Sequence, residues 1–381
     1  KSSVVNAVTG QNISIVSDVK GTTTDPVQKA MELLPLGPVV IIDTPGMDDE
    51  GTVGELRVQR ARQVLNKADI AVLVIDGTVG KSAEDLALQK LIEKKGVPYI
   101  IVLNKADLGG FKAENDNEIA VSAKTGEHIF ELKEKLAAIA AKGQNTKVIL
   151  GDLLERGDHV VLVTPIDSSA PKGRMILPQV QAIRDILDAG ATCSVTQVEE
   201  LAGALNGLKT PPKLVVTDSQ AFGKVKQIVP ERIKLTSFSI LFARYKGVLE
   251  TAVRGAAAIE NLKAGDRILI SEGCTHHRQC GDIGTGKLPN WIRRFTGKDV
   301  QFSFTAGNEF PEDVSKYALV VHCGGCMLNE REMQYRLRRS AERNVPMTNY
   351  GIAIAHMHGI LDRALAPFPD LHQAWSSTAN G

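Results

Sequence analysis

Few folds accommodate the ordered set of polar motifs in this chain, each placed where a short apolar run ends. Val39-Val40-Ile41-Ile42 leads into Asp43-Thr44-Pro45-Gly46, and Tyr99 to Leu103 leads into Asn104-Lys105-Ala106-Asp107. Ile70 to Asp76 lies between them, and Ile119 to Val121 leads into Ser122-Ala123-Lys124. Short apolar runs separated by helical patterns read as buried parallel strands of an α/β sheet. Ligands of such sheets sit beyond the carboxyl ends of the strands, where these motifs fall. Asn-Lys-x-Asp is the most informative of them. A carboxylate at Asp107 accepts from both N1–H and N2–H₂ of guanine, a donor pair that adenine lacks. Ser122, Ala123 and Lys124 supply a loop to close over the base.

Residues 1 to 10, Lys-Ser-Ser-Val-Val-Asn-Ala-Val-Thr-Gly, match the lysine, hydroxyl and helix that come after the glycines of a phosphate loop, G-x-x-x-x-G-K-[ST]. Val4, Val5 and Val8 have helical spacing and Gly10 is a terminator. Lys1 then reaches the β- and γ-phosphates and Ser2 binds Mg²⁺; the loop's glycines are expected ahead of Lys1. Asp43 can hold Mg²⁺ through water, and Gly46 can bring its backbone N–H to the γ-phosphate. Together these elements resemble the G-motifs of the translation-factor-related GTPases. Gly21-Thr22-Thr23-Thr24-Asp25 is similar to the switch I pattern of the Era and TrmE group. By that resemblance Thr22 and Thr23 belong to the nucleotide site, with Thr23 sensing Mg²⁺ and the γ-phosphate, and a potassium ion near the phosphate loop is a further expectation. Gly46 is followed by Met47-Asp48-Asp49-Glu50-Gly51, without the glutamine that orients water in Ras-like enzymes. Either one of Asp48, Asp49 and Glu50 orients the water instead, or all three form a solvated loop.

A chain of 381 residues exceeds one compact unit. Its net charge of +1 and aromatic content of 4% argue against nucleic acid or an anionic membrane as a partner. No apolar run approaches the roughly 18 residues needed to span a bilayer. No secretory leader is visible, and a cytoplasmic location is expected. Residues 142–147 read as a linker. Beyond it Val160 to Pro165, Ala191 to Thr196, Leu214 to Asp218 and Leu235 to Ile240 look like strands. Helical patterns such as Gln179 to Ala189 and Val198 to Leu205 lie between them. This second α/β unit carries no phosphate loop and reads as architectural, a subunit interface. Asp158 and His159 read as a solvated strand edge.

The last third repeats the α/β rhythm and holds most of the cysteines. Cys193 reads as a small buried hydrophobe on a strand. Arg267 to Ser271 is a strand running into Glu272-Gly273-Cys274-Thr275-His276-His277, and Tyr317 to Val321 one running into His322-Cys323-Gly324-Gly325-Cys326. Both ends can lie side by side at one sheet edge. Cys274, Cys323 and Cys326 then give a three-thiolate site that His276 or His322 can complete. Spacing alone leaves three readings open: a Cys₃His zinc site, a 4Fe-4S cluster with an exchangeable fourth ligand, or a dithiol that leaves Cys274 unused. Cys280 lies outside the pattern.

C-x-H and, after a long gap, H-C-x-x-C, downstream of an Era/TrmE-like GTPase, resembles the FeFe-hydrogenase maturation GTPases. Asp48-Asp49-Glu50-Gly51 with Gly54-Glu55-Leu56-Arg57 is similar to that family's own switch II extension. The resemblance implies an α/β chain in three parts: a P-loop GTPase domain at 1–142, a dimerisation domain at 148–246 and a cluster domain at 247–381, the last two with mainly parallel sheets. It implies a GTP-hydrolysing homodimer, or higher oligomer, that carries a 4Fe-4S cluster on Cys274, Cys323 and Cys326. His276 and His322 are candidate or supporting ligands. It also implies a diiron-cluster precursor as cargo, two radical-SAM maturases as suppliers and the FeFe-hydrogenase apoprotein as recipient. The competing reading is an RNA- or ribosome-associated GTPase with a C-terminal zinc module. Arg336 to Arg343 is the local basic stretch that favours it, although a solvated helix face accounts for that stretch as well.

Overall fold

A computed structural model of the chain describes residues 1–11, 27–43, 64–109, 111–143, 147–166, 172–173, 175–273, 283–307, 309–326 and 328–379. They form two compact units, 1–146 and 147–381.

In the first unit, β1 (Val27–Leu33) and β2 (Gly37–Asp43) form an antiparallel hairpin, with Val27 opposite Asp43 and Leu33 opposite Gly37. The Val39–Ile42 run is therefore not the buried parallel strand the apolar pattern suggests. The turn at Leu34–Gly37 folds it back on β1, and Val40 remains 58% exposed. The expected parallel sheet forms from β3 (Ala71–Asp76), β4 (Tyr99–Asn104) and β5 (Glu118–Val121), with β4 in the middle. Ile100, Val102, Ile119 and Val121 point into one core with Val4 and Val8 of the helix Ser2–Thr9 and Leu132 and Leu136 of the helix Ile129–Gly143. Leu73, Ile75, Ile101 and Leu103 supply the opposite face. A sheet buried on both faces accounts for the continuous apolar runs in the sequence.

The second unit contains two parallel four-stranded sheets. The first has the order β7 (Thr192–Thr196), β6 (His159–Val163), β8 (Leu214–Thr217), β9 (Lys234–Ser237). In the second, β11 (Gln301–Thr305), β10 (Arg267–Ser271), β12 (Leu319–His322) and β13 (Met347–Asn349) lie in that order. One apolar cluster joins both sheets, running from Leu162 and Val216 through Leu241 and Val253 to Leu269 and Val320.

Three expectations change here. The strand anticipated over Leu235–Ile240 stops at Ser237, whose hydroxyl caps the next helix, Phe238–Tyr245, by accepting from the Ile240 N–H. Asp158 and His159 are half-buried and hydrogen-bonded rather than freely solvated. β6 is an interior strand, the His159 ring pairs with Thr192 Oγ1 at 2.8 Å and Ser194 Oγ at 3.0 Å, and Asp158 closes a turn by accepting from the Glu155 N–H at 2.8 Å. The Arg336–Arg343 stretch is not simply a solvated face, because Arg336 is 0% exposed. Cys193 lies on β7, half-buried against the core, where burial raises its thiol pKa.

Candidate nucleotide and cysteine sites

In the first unit, register sets the geometry. Asp76, Asn104 and Val121 are partners across β3, β4 and β5, so the loops after these strands emerge at one edge. Asn104 Oδ1 accepts the Ala123 N–H at 3.0 Å, and Ser122 donates its hydroxyl to Asp107 Oδ1 at 2.7 Å. The Ser122 oxygen also accepts from the Thr125 N–H at 3.1 Å. Asn104, Asp107, Ser122 and Ala123 are thereby tied into one rim, with Lys124 exposed beside it. Lys105 occupies the left-handed region, φ 77°, and its ammonium meets Asp76 Oδ2 at 2.6 Å. Lys105, together with Thr78, holds the Asp76 carboxyl below its ordinary range. That role for Asp76 belongs to no motif, and the sequence offered no signal for it.

Lys1, at the start of the helix Ser2–Thr9, pairs with Asp43 Oδ1 at 2.8 Å, and Ser2 opens the same helix. Phosphate-facing and magnesium-facing candidates therefore lie together at a helix N-terminus, a place suited to anions. Thr22, Thr23, Gly46, Asp48, Asp49 and Glu50 lie outside the described residues.

In the second unit, β10 and β12 are neighbours, with Ser271 opposite His322, and the Cys323 N–H donates to the Ser271 carbonyl at 2.9 Å. Cys323 Sγ accepts two backbone N–H groups, from Gly273 at 3.0 Å and Gly325 at 3.3 Å. The segment leading to Cys274 and the Cys323–Cys326 turn therefore meet at one sulfur. Burial raises the Cys323 thiol pKa and the two N–H groups oppose it. Cys274, His276 and Cys280 lie outside the described residues, and among the described residues no group of three or more potential ligands is close enough to hold a metal. The donor set nonetheless suits a thiolate-bound metal group: the two backbone N–H groups favour a thiolate against the burial that opposes it, and a bound cation would supply the rest.

His322 is fully buried, and both ring nitrogens have partners. Arg336 Nη1 can only donate, so Nε2 accepts from it at 2.9 Å, and Nδ1–H donates to the Cys323 carbonyl at 2.7 Å. Burial, reinforced by the Arg336 charge, lowers the His322 pKa to about 3, so the ring is neutral. Arg336 also donates from Nε to Glu332 at 2.8 Å, from Nη1 to Ser271 Oγ at 3.4 Å and from Nη2 to the Gly307 carbonyl at 2.6 Å. One guanidinium thus joins the ends of β10 and β12 to the loop after β11. The four-residue spacing of Glu332 and Arg336 was the available sequence signal for this pair.

Three family models match the chain. A model described as "50S ribosome-binding GTPase" covers residues 1–105. "Hydrogen maturase F dimerization domain" covers 149–247 and "Hydrogen maturase F tetramerization domain" covers 250–367. Among curated proteins, the tRNA modification GTPase MnmE of Endomicrobium trichonymphae is 32% identical over 155 residues, 38% of this chain and 34% of that protein. The GTPase Der of Kosmotoga olearia is 35% identical over 162 residues, 37% of this chain and 36% of that protein. The chain spans about a third of the length of these curated relatives. A crystal structure of Aquifex aeolicus Era superposes with a TM-score of 0.34 at 20% identity, over 51% of this chain and 89% of that one, too loosely to carry an argument. No helix among the described residues is long and apolar enough to cross a membrane. With a P-loop GTPase domain followed by both of that family's assembly domains, the chain belongs to the hydrogen maturase F family.

Proposed function

We propose that the chain is a GTP-hydrolysing scaffold that carries a 4Fe-4S cluster and passes a diiron-cluster precursor to FeFe-hydrogenase. The observation that carries the cluster reading is the sulfur of Cys323, cradled by N–H groups from the ends of both cysteine segments. Cys274, Cys323 and Cys326 are its thiolate ligands. Such a cluster supplies an iron with an exchangeable position, which suits holding and releasing a cargo. The hydrogen bond from Arg336 to His322 favours a supporting role for that histidine, and leaves the fourth position to His276, a carboxylate or water.

In the nucleotide unit, Asp107 reads guanine, while Lys1, Ser2, Thr23 and Asp43 meet the phosphates and Mg²⁺. Asp48, Asp49 and Glu50 are the candidates for orienting the attacking water. The γ-phosphate acts as a switch by contacting the two states of the switch segments differently. Residues 148–246 form the dimer interface and 247–381 the cluster domain, with two radical-SAM maturases and the hydrogenase apoprotein as partners.

Anaerobic reconstitution of the purified protein with iron and sulfide tests this reading. Visible and EPR spectra are expected to show a 4Fe-4S signal that is lost in Cys323→Ala and Cys326→Ala. A colourless protein holding one zinc sinks it.

A further inference from the structure

The turn between Cys323 and Cys326 rests on a residue that no motif singles out. Lys246 ends the helix Phe238–Tyr245, and its side chain runs inward until the residue is only 5% exposed. Its ammonium donates to the carbonyl of Gly325, between the two cysteines, and to that of Leu328 at 2.8 Å. The backbone beside it is pinned as well. Gln334 Nε2, on the helix Glu330–Glu342, donates to the carbonyls of Lys246 at 3.0 Å and Gly247 at 3.2 Å. Gly325 has φ +61°, and a Cβ there would come within 2.7 Å of Met333 Sδ on that same helix. The turn is thus clamped between Lys246 and Met333, with little room to move away from the charge.

An ammonium taken out of water is costly unless a counter-charge balances it, since carbonyl dipoles solvate it without neutralising it. Arg336, the other buried cation here, has Glu332 at 2.8 Å. Lys246 differs. Its hydrogen-bond acceptors among the described residues are carbonyls, and the ionisable groups acting on it there are the thiols of Cys326 and Cys323. Burial lowers its pKa and those two sulfurs oppose the shift.

We propose that Lys246 is the fixed counter-cation of the cysteine site, holding the Cys323–Cys326 turn in place and raising the reduction potential of the cluster bound there. This rests on the reading of that site as a 4Fe-4S centre. Thiolates already make the site anionic, and each electron added makes it more so. A positive charge fixed beside the turn therefore stabilises the reduced form more than the oxidised form. Lys246 contacts the backbone carbonyls of Gly325 and Leu328, not a sulfur, so its role is positioning and electrostatic.

The test uses the full chain, reconstituted anaerobically with iron and sulfide, in wild type, Lys246→Met, Lys246→Gln and Lys246→Arg. Iron and sulfide content is measured, and the cluster is titrated with dithionite while its EPR signal is monitored. Glutamine retains donors for the two carbonyls but not the charge, whereas arginine retains both. The expected result is a cluster of lower potential in the Gln and Met variants and a potential near wild type in Arg. Absence of cluster from Met and Gln with recovery in Arg also supports the proposal. Equal potentials in wild type and the Gln or Met variant overturn it. So does loss of cluster from all three variants, which makes Lys246 a structural strut only. If wild type itself takes up no cluster, it is the cluster reading that fails, before any variant is compared.

Discussion

The nucleotide edge and the cysteine edge solve the same topological problem with opposite electrostatics. Both gather their chemistry at the carboxyl ends of neighbouring parallel strands, Asp76 beside Asn104 in one and Ser271 beside His322 in the other. At the nucleotide edge the cations are paired with carboxylates near the surface, Lys1 with Asp43 and Lys105 with Asp76. At the cysteine edge, among the described residues, Arg336 and Lys246 are buried, and Lys246 donates to the carbonyls of Gly325, between Cys323 and Cys326, and Leu328. Surface pairs are screened and readily exchange a partner for a ligand, which suits a nucleotide that comes and goes. Charge buried under a loop is committed to whatever anion stays there. Among the described residues, the cysteine edge is the one of the two that buries its cations.

Arg336→Met tests this contrast hardest. Removing one partner of a buried pair leaves Glu332 uncompensated and unties Ser271, His322 and Gly307, so a loss of about 3–5 kcal/mol is expected. Chemical denaturation of the full chain measures it. A loss below about 1 kcal/mol, the range of an exposed pair, would place Arg336 with the surface cations and erase the distinction. Next in size is Asp107→Asn. Exchanging the acceptor for a donor removes a charge-assisted contact to guanine worth about 1.5–3 kcal/mol, on the order of a ten- to hundred-fold weakening of GTP, with xanthosine nucleotides favoured instead. Unchanged GTP affinity by calorimetry refutes the guanine contact.

The sequence made the nucleotide edge legible because its chemistry is local. Asn104, Asp107 and Ser122 fall in short motifs at the ends of apolar runs, and those runs were strands. The meeting of the two cysteine segments was legible for the same reason, through strand ends at Ser271 and His322. What could not be read depends on tertiary burial. Nothing local marks Lys246 or Arg336 as inward-facing, since the default for either side chain is water. An apolar run likewise cannot tell parallel from antiparallel pairing, and at Val39–Ile42 the informative signal was the Pro35-Leu36-Gly37 turn before it. At Leu235–Ile240 the apolar pattern ran straight through Ser237, whose capping hydroxyl marks the change from strand to helix.

The surface side of the contrast carries the mildest effect. Asp76 is 35% exposed at its side chain, so Asp76→Asn should cost at most about 1 kcal/mol even though its bond to Lys105 is short. The sign of the pH dependence comes from Lys105 and Thr78, which hold the Asp76 carboxyl below its ordinary value of 3.8. A depressed carboxylate contributes stability that is fully present above the unfolded value and is lost as pH falls through the lower folded one. The wild-type advantage over Asp76→Asn should therefore be flat at neutral pH, shrink only below about pH 4, and be reduced by salt at every pH. Denaturation midpoints measured for both proteins across pH and ionic strength decide it. An advantage that resists salt would mean that the Lys105–Asp76 pair is shielded from solvent when the chain assembles, and the nucleotide edge would then share the buried character of the cysteine edge.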